Sequence, residues 1–237
     1  MELIVVVYDA RAGNQSCRYQ LNCLKPGAGV ISIIYALHLE LLRKTKKKLS
    51  TIAESLFWSY ANLGAVHAAL KSGDKKLHRI HYIIRSKLYK GLTSGTMKIS
   101  TMYKDERAKF LLPHCCCYCG SAKKLSADHI FPRKKGGNDS GENLVWCCRQ
   151  CNSSKSSKDM LEWMFDKNKF PSILLLRRYL KLAIQYCYEN DIMNLPIENI
   201  ENLPVELPFA INFVPYWYPT LNKLKIWIVD FEGMNSA

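Results

Sequence analysis

The chain opens on an apolar run, Met1–Tyr8, rich in Leu, Ile and Val, which predicts a short buried strand. Arg11–Pro26 is polar and closes on Pro26-Gly27 and Gly29, the composition of a turn region. From Val30 the pattern turns helical. Ile31, Ile34, Tyr35, His38 and Leu42 recur at three- and four-residue spacing and run into the basic stretch Arg43–Lys48. A second helix is predicted after a cap at Ser50 or Thr51, with Glu54 in its first turn. It carries Ile52, Leu56, Tyr60, Leu63 and Leu70 inward and stops at Ser72-Gly73. A third is predicted from about Lys75 to Tyr89. Its inner face is Leu77, Ile80, Ile84 and Leu88, and Lys76, Arg79, Lys87 and Lys90 lie on the polar side with His78 and His81. Gly91–Gly95 reads as a loop and Met97–Tyr103 as a strand or extended arm.

Two further helices follow residue 156. Ser157 or Asp159 caps one that runs through Trp163 and Phe165. Pro171 precedes another with Ile173, Leu176, Leu180, Ile184 and Cys187 inward and Arg177, Lys181 and Gln185 outward. The pattern then loses its helical period, because five of the nine prolines fall between Pro196 and Pro219, interleaved with Phe209, Phe213, Tyr216, Trp217 and Tyr218. Such a segment wraps the domain, stacks on unpaired bases or docks a partner. Leu224–Phe231 predicts a closing strand. The resulting expectation is a mainly helical α+β chain in three regions: 1–110, helical and basic; 111–160, a small compact motif; and 161–237, a helix with an extended Pro/aromatic segment.

Charge adds a partner to this picture. The net charge is +14 with a pI near 9.3, which calls for an anionic partner. The excess is concentrated in residues 71–135, with 16 Lys and Arg against 4 Asp and Glu. Leu3–Tyr8 is too short and unflanked for a signal peptide, and Val30–Leu39 falls far short of the roughly 20 residues that span a bilayer. A soluble cytoplasmic protein that binds nucleic acid is therefore expected, with Lys87, Lys90, Arg133 and Lys134 as candidate backbone contacts.

The chemistry lies between Cys115 and Asp159, which hold seven of the ten cysteines in two clusters. Cys116-x-x-Cys119 and Cys148-x-x-Cys151 are separated by 28 residues. Two intervening residues let one tight turn present both thiolates to one ion, so the pair predicts a tetrahedral zinc site. Cys115, Cys117 and Cys147 offer other registers, and His114 offers another ligand. Buried apolar packing is the simpler role for the spare cysteines. A disulfide pairing is the competing reading, but nothing in the chain points to an oxidising compartment.

Between the knuckles stand Asp128 and His129, a Gly136-Gly137 turn and Asn143, and Asn152 follows the last cysteine. Imidazole takes a proton from water near neutral pH, which suits His129 as a general base. Asp128 and Asn152 are hard oxygen donors suited to one Mg²⁺ or Mn²⁺, which relieves charge on a phosphodiester.

Cys116-Cys117-Tyr118-Cys119-Gly120, Asp128 through Gly137, and Glu142-Asn143-Leu144-Val145 running to Cys148, Cys151, Asn152 and Lys155 together resemble the HNH endonucleases. These are also called ββα-metal or His-Me finger nucleases, and the resemblance is to members clamped by a four-cysteine zinc. It covers about 45 of 237 residues. It implies a ββα-metal motif in which Asp128 and Asn152 hold the catalytic metal, His129 activates water, Asn143 positions the histidine loop, and Lys155 and Arg133 lie near the phosphate. The implied activity is metal-dependent cleavage of DNA, with RNA still open, in a restriction or anti-phage defence setting. Cutting both strands calls for a homodimer, or for a partner protein of a defence system. Two other readings compete. A non-catalytic zinc-knuckle module would need the basic face but not Asp128, His129 and Asn152 together, and a thiol redox sensor would need exposed low-pKa cysteines and no zinc.

Overall fold

In the computed structural model, residues 48–231 are described, together with strands β1 (Val5–Val7) and β2 (Cys17–Tyr19). Contacts divide the chain into two units, Met1–Lys48 and Leu49–Ala237. In the first, β1 falls in the predicted strand and pairs antiparallel with β2, with Val5 opposite Tyr19 and Val7 opposite Cys17. β2 lies within the stretch read from sequence as polar turn. The helix predicted from Val30 lies outside the described residues.

The second unit is a mainly helical α+β domain built on two central helices. Helix α1 (Ile52–Lys71) starts where the Thr51 hydroxyl accepts the Glu54 backbone N–H at 3.2 Å, satisfying one orphan donor of the first turn. Ile52, Leu56, Ala61, Leu63, Val66 and Ala69 are buried, which places apolar contacts on most sides of the helix. Gly73, at φ +69, follows its end.

Helix α2 (Arg79–Thr93) packs on α1 with Leu88, and Leu77 just before it, against the core and Lys76, Arg79, Lys87 and Lys90 exposed as predicted, but two positions of its first turn differ. His81, expected on the polar side, is 2% exposed, whereas Ile80, expected inward, is 56% exposed. The cause is a reciprocal cap. His81 Nδ1 accepts the His78 backbone N–H at 2.9 Å, and its Nε2 lies 3.3 Å from Asp74. This cap turns His81 inward, beside Leu88, Tyr89 and Leu92.

Residues 97–101 form no strand, and helix α3 (Tyr103–Leu111) follows. The hairpin strands are β3 (Leu125–His129) and β4 (Leu144–Cys148), paired antiparallel with Asp128 opposite Val145 and His129 opposite Leu144. Helix α4 (Arg149–Lys155) continues directly from β4, completing a ββα unit. Helix α5 (Met160–Asp166) is capped by Asp159, whose carboxylate accepts the Leu161 and Glu162 N–H groups at 2.8 and 3.1 Å.

Helix α6 (Ile173–Glu189) is the second central helix and packs against α1. Arg177 and Lys181 were expected in solvent. Instead, Lys181 is 2% exposed and donates to the Thr101 carbonyl at 3.0 Å and to the Asp105 carboxylate. Arg177 Nε donates to the other Asp105 oxygen at 2.7 Å. Arg178 is also buried and bonds Glu106 and the Asp105 carbonyl, the latter at 2.8 Å. An ionic seam thus joins α3 to α6.

The Pro/aromatic segment wraps this frame. Trp58 Nε1 donates to the Tyr216 carbonyl at 3.1 Å, Phe213 meets Phe165, and Phe209 stacks on Phe131. The closing strand does not form. Leu224–Phe231 instead runs past the start of α6, where the Lys225 and Ile226 carbonyls accept the Ile173 and Leu174 N–H groups at 2.9 and 3.1 Å. Those two donors have no partner inside the helix, so the segment acts as a backbone cap in place of a sheet. Among the described residues, no helix is long and apolar enough to cross a membrane.

Candidate metal centre and catalytic hairpin

The two knuckles fold as local turns before any ion is considered. In the first, Cys116 donates its N–H to the Ser121 carbonyl and accepts from Gly120, both at 2.8 Å. Gly120 holds φ +78, a region in which a side chain is strained. The Cys117 N–H then reaches the Trp146 carbonyl at 2.9 Å, fastening this knuckle to β4. The second knuckle is the junction of β4 and α4, where Cys148 ends the strand and Cys151 lies one turn along the helix.

These turns bring the sulfurs of Cys116, Cys119, Cys148 and Cys151 within 4.8 Å of one another, with Cys119 and Cys148 at 3.7 Å. Tetrahedral zinc with bonds of about 2.3 Å sets its ligand sulfurs roughly 3.8 Å apart, so the cluster is compatible with zinc. It is too open for a disulfide, whose sulfurs stand about 2.05 Å apart. Burial and the neighbouring thiols push the Cys119 and Cys151 thiols up, while hydrogen bonds from Cys147 and backbone amides draw Cys116 down to about 4. Four sulfurs this close repel as thiolates until a cation neutralises them. Cys115, Cys117 and Cys147 are buried outside the cluster. Burial pushes the Cys115 and Cys117 thiols up, contrary to the low-pKa exposed thiols a redox sensor needs.

The hairpin places Asp128 and His129 on opposite faces of β3. Asp128 is 5% exposed, accepts the Tyr118 hydroxyl at 2.7 Å and pairs with the Lys155 ammonium at 3.3 Å. Burial holds the Tyr118 hydroxyl well above its ordinary pKa, so it remains a proton donor. Lys155 differs from the sequence expectation of a phosphate contact. It is 1% exposed, and besides Asp128 it donates to the His129 carbonyl at 2.6 Å. The last turn of α4 therefore holds the end of β3 from below. Asn152, one turn earlier, donates to Ser126 Oγ at 3.2 Å, and Ser126 shares a strand face with Asp128. Asp128 has about four lone-pair positions and uses part of them on Tyr118 and Lys155, and both the carboxylate and the Asn152 amide offer the oxygen type that a divalent ion takes.

His129 keeps a quarter of its side chain exposed, and its Nε2 lies 2.6 Å from Asp139 Oδ1. The loop beyond it is held by Asn143, which is 1% exposed. The Asn143 Oδ1 accepts the Phe131 N–H at 2.8 Å, and its Nδ2 donates to the Phe131 and Asn138 carbonyls at 3.0 and 2.8 Å. Its own carbonyl accepts the Ile130 N–H at 2.9 Å. Gly137 makes this closure possible, since a Cβ there would stand 1.9 Å from the Phe131 carbonyl oxygen.

Residues 116–162 match the family model of the HNH endonucleases. This segment is an HNH motif. No curated protein and no solved structure matches the chain.

The HNH segment brings together Asp128, His129, Asn143, Asn152, Lys155 and the four cysteines. Arg133 and Lys134 are exposed on its hairpin loop, and Arg133 Nε lies 3.4 Å from Asp139. Lys87 and Lys90 are exposed on α2, which belongs to the helical frame. Sequence reasoning missed Tyr118, Ser126 and Asp139. Tyr118 was visible as the aromatic inside the first knuckle, whereas Ser126 and Asp139 carry no local signal that separates them from surface or turn residues.

Proposed function

We propose that the protein is a metal-dependent endonuclease that hydrolyses DNA phosphodiester bonds, with zinc in the four-cysteine cluster as a folding element. The observation that carries this reading is the state of His129. It is an imidazole with a quarter of its side chain exposed at the end of β3, directly after Asp128 in the chain, and its loop is locked by the buried Asn143 within a segment that matches the HNH endonucleases.

In this reading, Asp128 and Asn152 would hold Mg²⁺ or Mn²⁺, which would supply charge neutralisation at the scissile phosphate. His129 takes the proton of the attacking water. Asn143 keeps the His129–Phe131 backbone in place, and Lys155 ties that backbone to α4 while balancing the buried Asp128 charge. Arg133 and Lys134 contact backbone phosphates beside the cut, and Lys87 and Lys90 extend the basic surface. Cutting both strands with one site per chain calls for two copies. A restriction or anti-phage role rests on analogy with other family members.

The Lys155–Asp128 ion pair favours a second reading, in which Asp128 is structural and the motif only binds nucleic acid. One experiment separates them: supercoiled plasmid incubated with Mg²⁺ or Mn²⁺, comparing wild type with His129→Ala. The nuclease reading expects cleavage to fall by roughly 10²–10⁴-fold, the contribution of a positioned base, with zinc content, folding and DNA affinity near wild type. Equal cleavage by the variant under metal-saturating conditions would end it.

A further inference from the structure

Asp139 was not singled out by the sequence, and among the described residues it makes the side-chain hydrogen bond to the His129 ring. The contact is 2.6 Å long, from Nε2 to Oδ1, and Arg133 approaches the other carboxylate oxygen at 3.4 Å. Asp139 is 62% exposed, and an ion pair that open adds little to stability, so its contact with His129 is read for what it does to the ring.

The backbone on both sides of this contact is fixed by one buried side chain. Asn143 bonds the Phe131 peptide, two residues after His129, and the Asn138 carbonyl, the residue before Asp139. Asn138 in turn accepts the Ser140 N–H and hydroxyl at 3.3 and 2.8 Å, which holds the turn that presents Asp139. Histidine and carboxylate are therefore attached to the same anchor, and their separation does not depend on a mobile loop tip.

A carboxylate only accepts hydrogen bonds, so a neutral imidazole facing it through Nε2 must carry its proton there. The lone pair is then on Nδ1. We propose that Asp139 is a positioning residue that fixes the Nε2–H tautomer of His129, leaves Nδ1 as the nitrogen that receives the proton of the attacking water, and sets the ring plane. This rests on the reading of His129 as the general base. Before transfer, Nδ1 is bare and Nε2–H is bonded to Asp139. After it, the ring carries both protons, the water oxygen is bonded to phosphorus, the P–O bond to the leaving sugar oxygen has broken with its electron pair on that oxygen, which takes a proton from solvent, and the carboxylate faces an imidazolium. Asp139 keeps its charge throughout and exchanges no proton.

The test is imidazole ¹⁵N NMR on the full-length, zinc-loaded protein with labelled histidine, at a pH where the rings are neutral. The His129 signals are assigned among the six histidines by their loss in His129→Ala. Wild type is expected to show the Nε2–H form. Asp139→Asn offers an N–H as well as an oxygen and should shift His129 towards Nδ1–H. Turnover should fall roughly ten- to a hundredfold, the usual loss when an orienting partner is removed, with KM for plasmid unchanged. Asp139→Glu should restore part of both. Wild-type His129 in the Nδ1–H form, or an Asp139→Asn spectrum with the tautomer unchanged, overturns the proposal. So does unchanged turnover despite a switched tautomer. If wild type cleaves nothing, the endonuclease reading fails, and with it the assignment of Nδ1 to water; the spectra still decide whether Asp139 sets the tautomer.

Discussion

The HNH segment and the helical frame are held together by different chemistry. In the segment, four sulfurs, one buried asparagine and a lysine bonded to a strand end do most of the fixing, and the partners lie within about 35 residues of one another. In the frame, two helices buried on most sides meet partners far along the chain: Asp105 reaches Lys181, and Trp58 reaches Tyr216. The segment is thus set by which residue types stand at which spacing, and the frame by which distant surfaces happen to fit. Damage to one should leave the other recognisable.

The largest effect should come from the metal. Structural zinc contributes on the order of 10–16 kcal/mol in small knuckle elements, so Cys151→Ala or chelation should unfold residues 115–155. The frame's helices should survive, which circular dichroism and limited proteolysis can both follow. Unchanged melting and full activity without stoichiometric zinc would erase the distinction between the two regions.

Asp105→Ala is the matching cut in the frame. It leaves Arg177 and Lys181 without their carboxylate, and burial already pushes the Lys181 ammonium down. Removing one partner of a buried pair costs about 3–5 kcal/mol. At roughly 2–4 °C per kcal/mol for a unit of this size, melting should drop by roughly 10 °C with zinc content unchanged. Asp105→Ala combined with Lys181→Met should recover part of that loss.

Acid should act on the frame as well, by a smaller amount. His67 on α1 is held down to about 4 from its ordinary 6.5, first by burial and then by Arg177 and Lys71, and its Nε2 has no hydrogen-bond partner. Above about pH 6.5 the ring is neutral whether the chain is folded or not. Below it, the unfolded chain binds a proton that the folded chain refuses until about pH 4. Stability should therefore fall across that window by on the order of 3 kcal/mol, and His67→Gln should flatten the fall in urea titrations at stepped pH.

The same contrast explains what the sequence made legible. The paired CxxC spacing and the caps, narrowed to Ser157 or Asp159 and to Ser50 or Thr51, were readable because each depends on residues within a few positions. The outward assignment of Lys181 failed because its partner is 76 residues upstream, so a lysine at that phase looked solvated. The inward place of His81 on α2 was missed because a histidine acted as a cap, a role for which aspartate or serine would have been the visible signal. The Leu224–Phe231 strand failed because an apolar extended run can satisfy its carbonyls on a helix terminus as well as in a sheet. Of the hairpin, Asn143 as the holder of the histidine loop was legible, whereas the contacts of Tyr118, Ser126 and Asp139 were not.

The wrap of the Pro/aromatic segment also sets a clock on synthesis. Trp58 finds Tyr216 only 158 positions later, and Thr51 is bridged to Pro196. At a ribosome speed of about 5–20 residues per second, α1 waits roughly ten to thirty seconds before its covering strap exists. During that interval α2 covers one side of α1 but the side that meets the strap has no lid, whereas both knuckles are complete as soon as Cys151 has been made. In the nascent chain the metal-binding segment is thus finished before the scaffold it is mounted on.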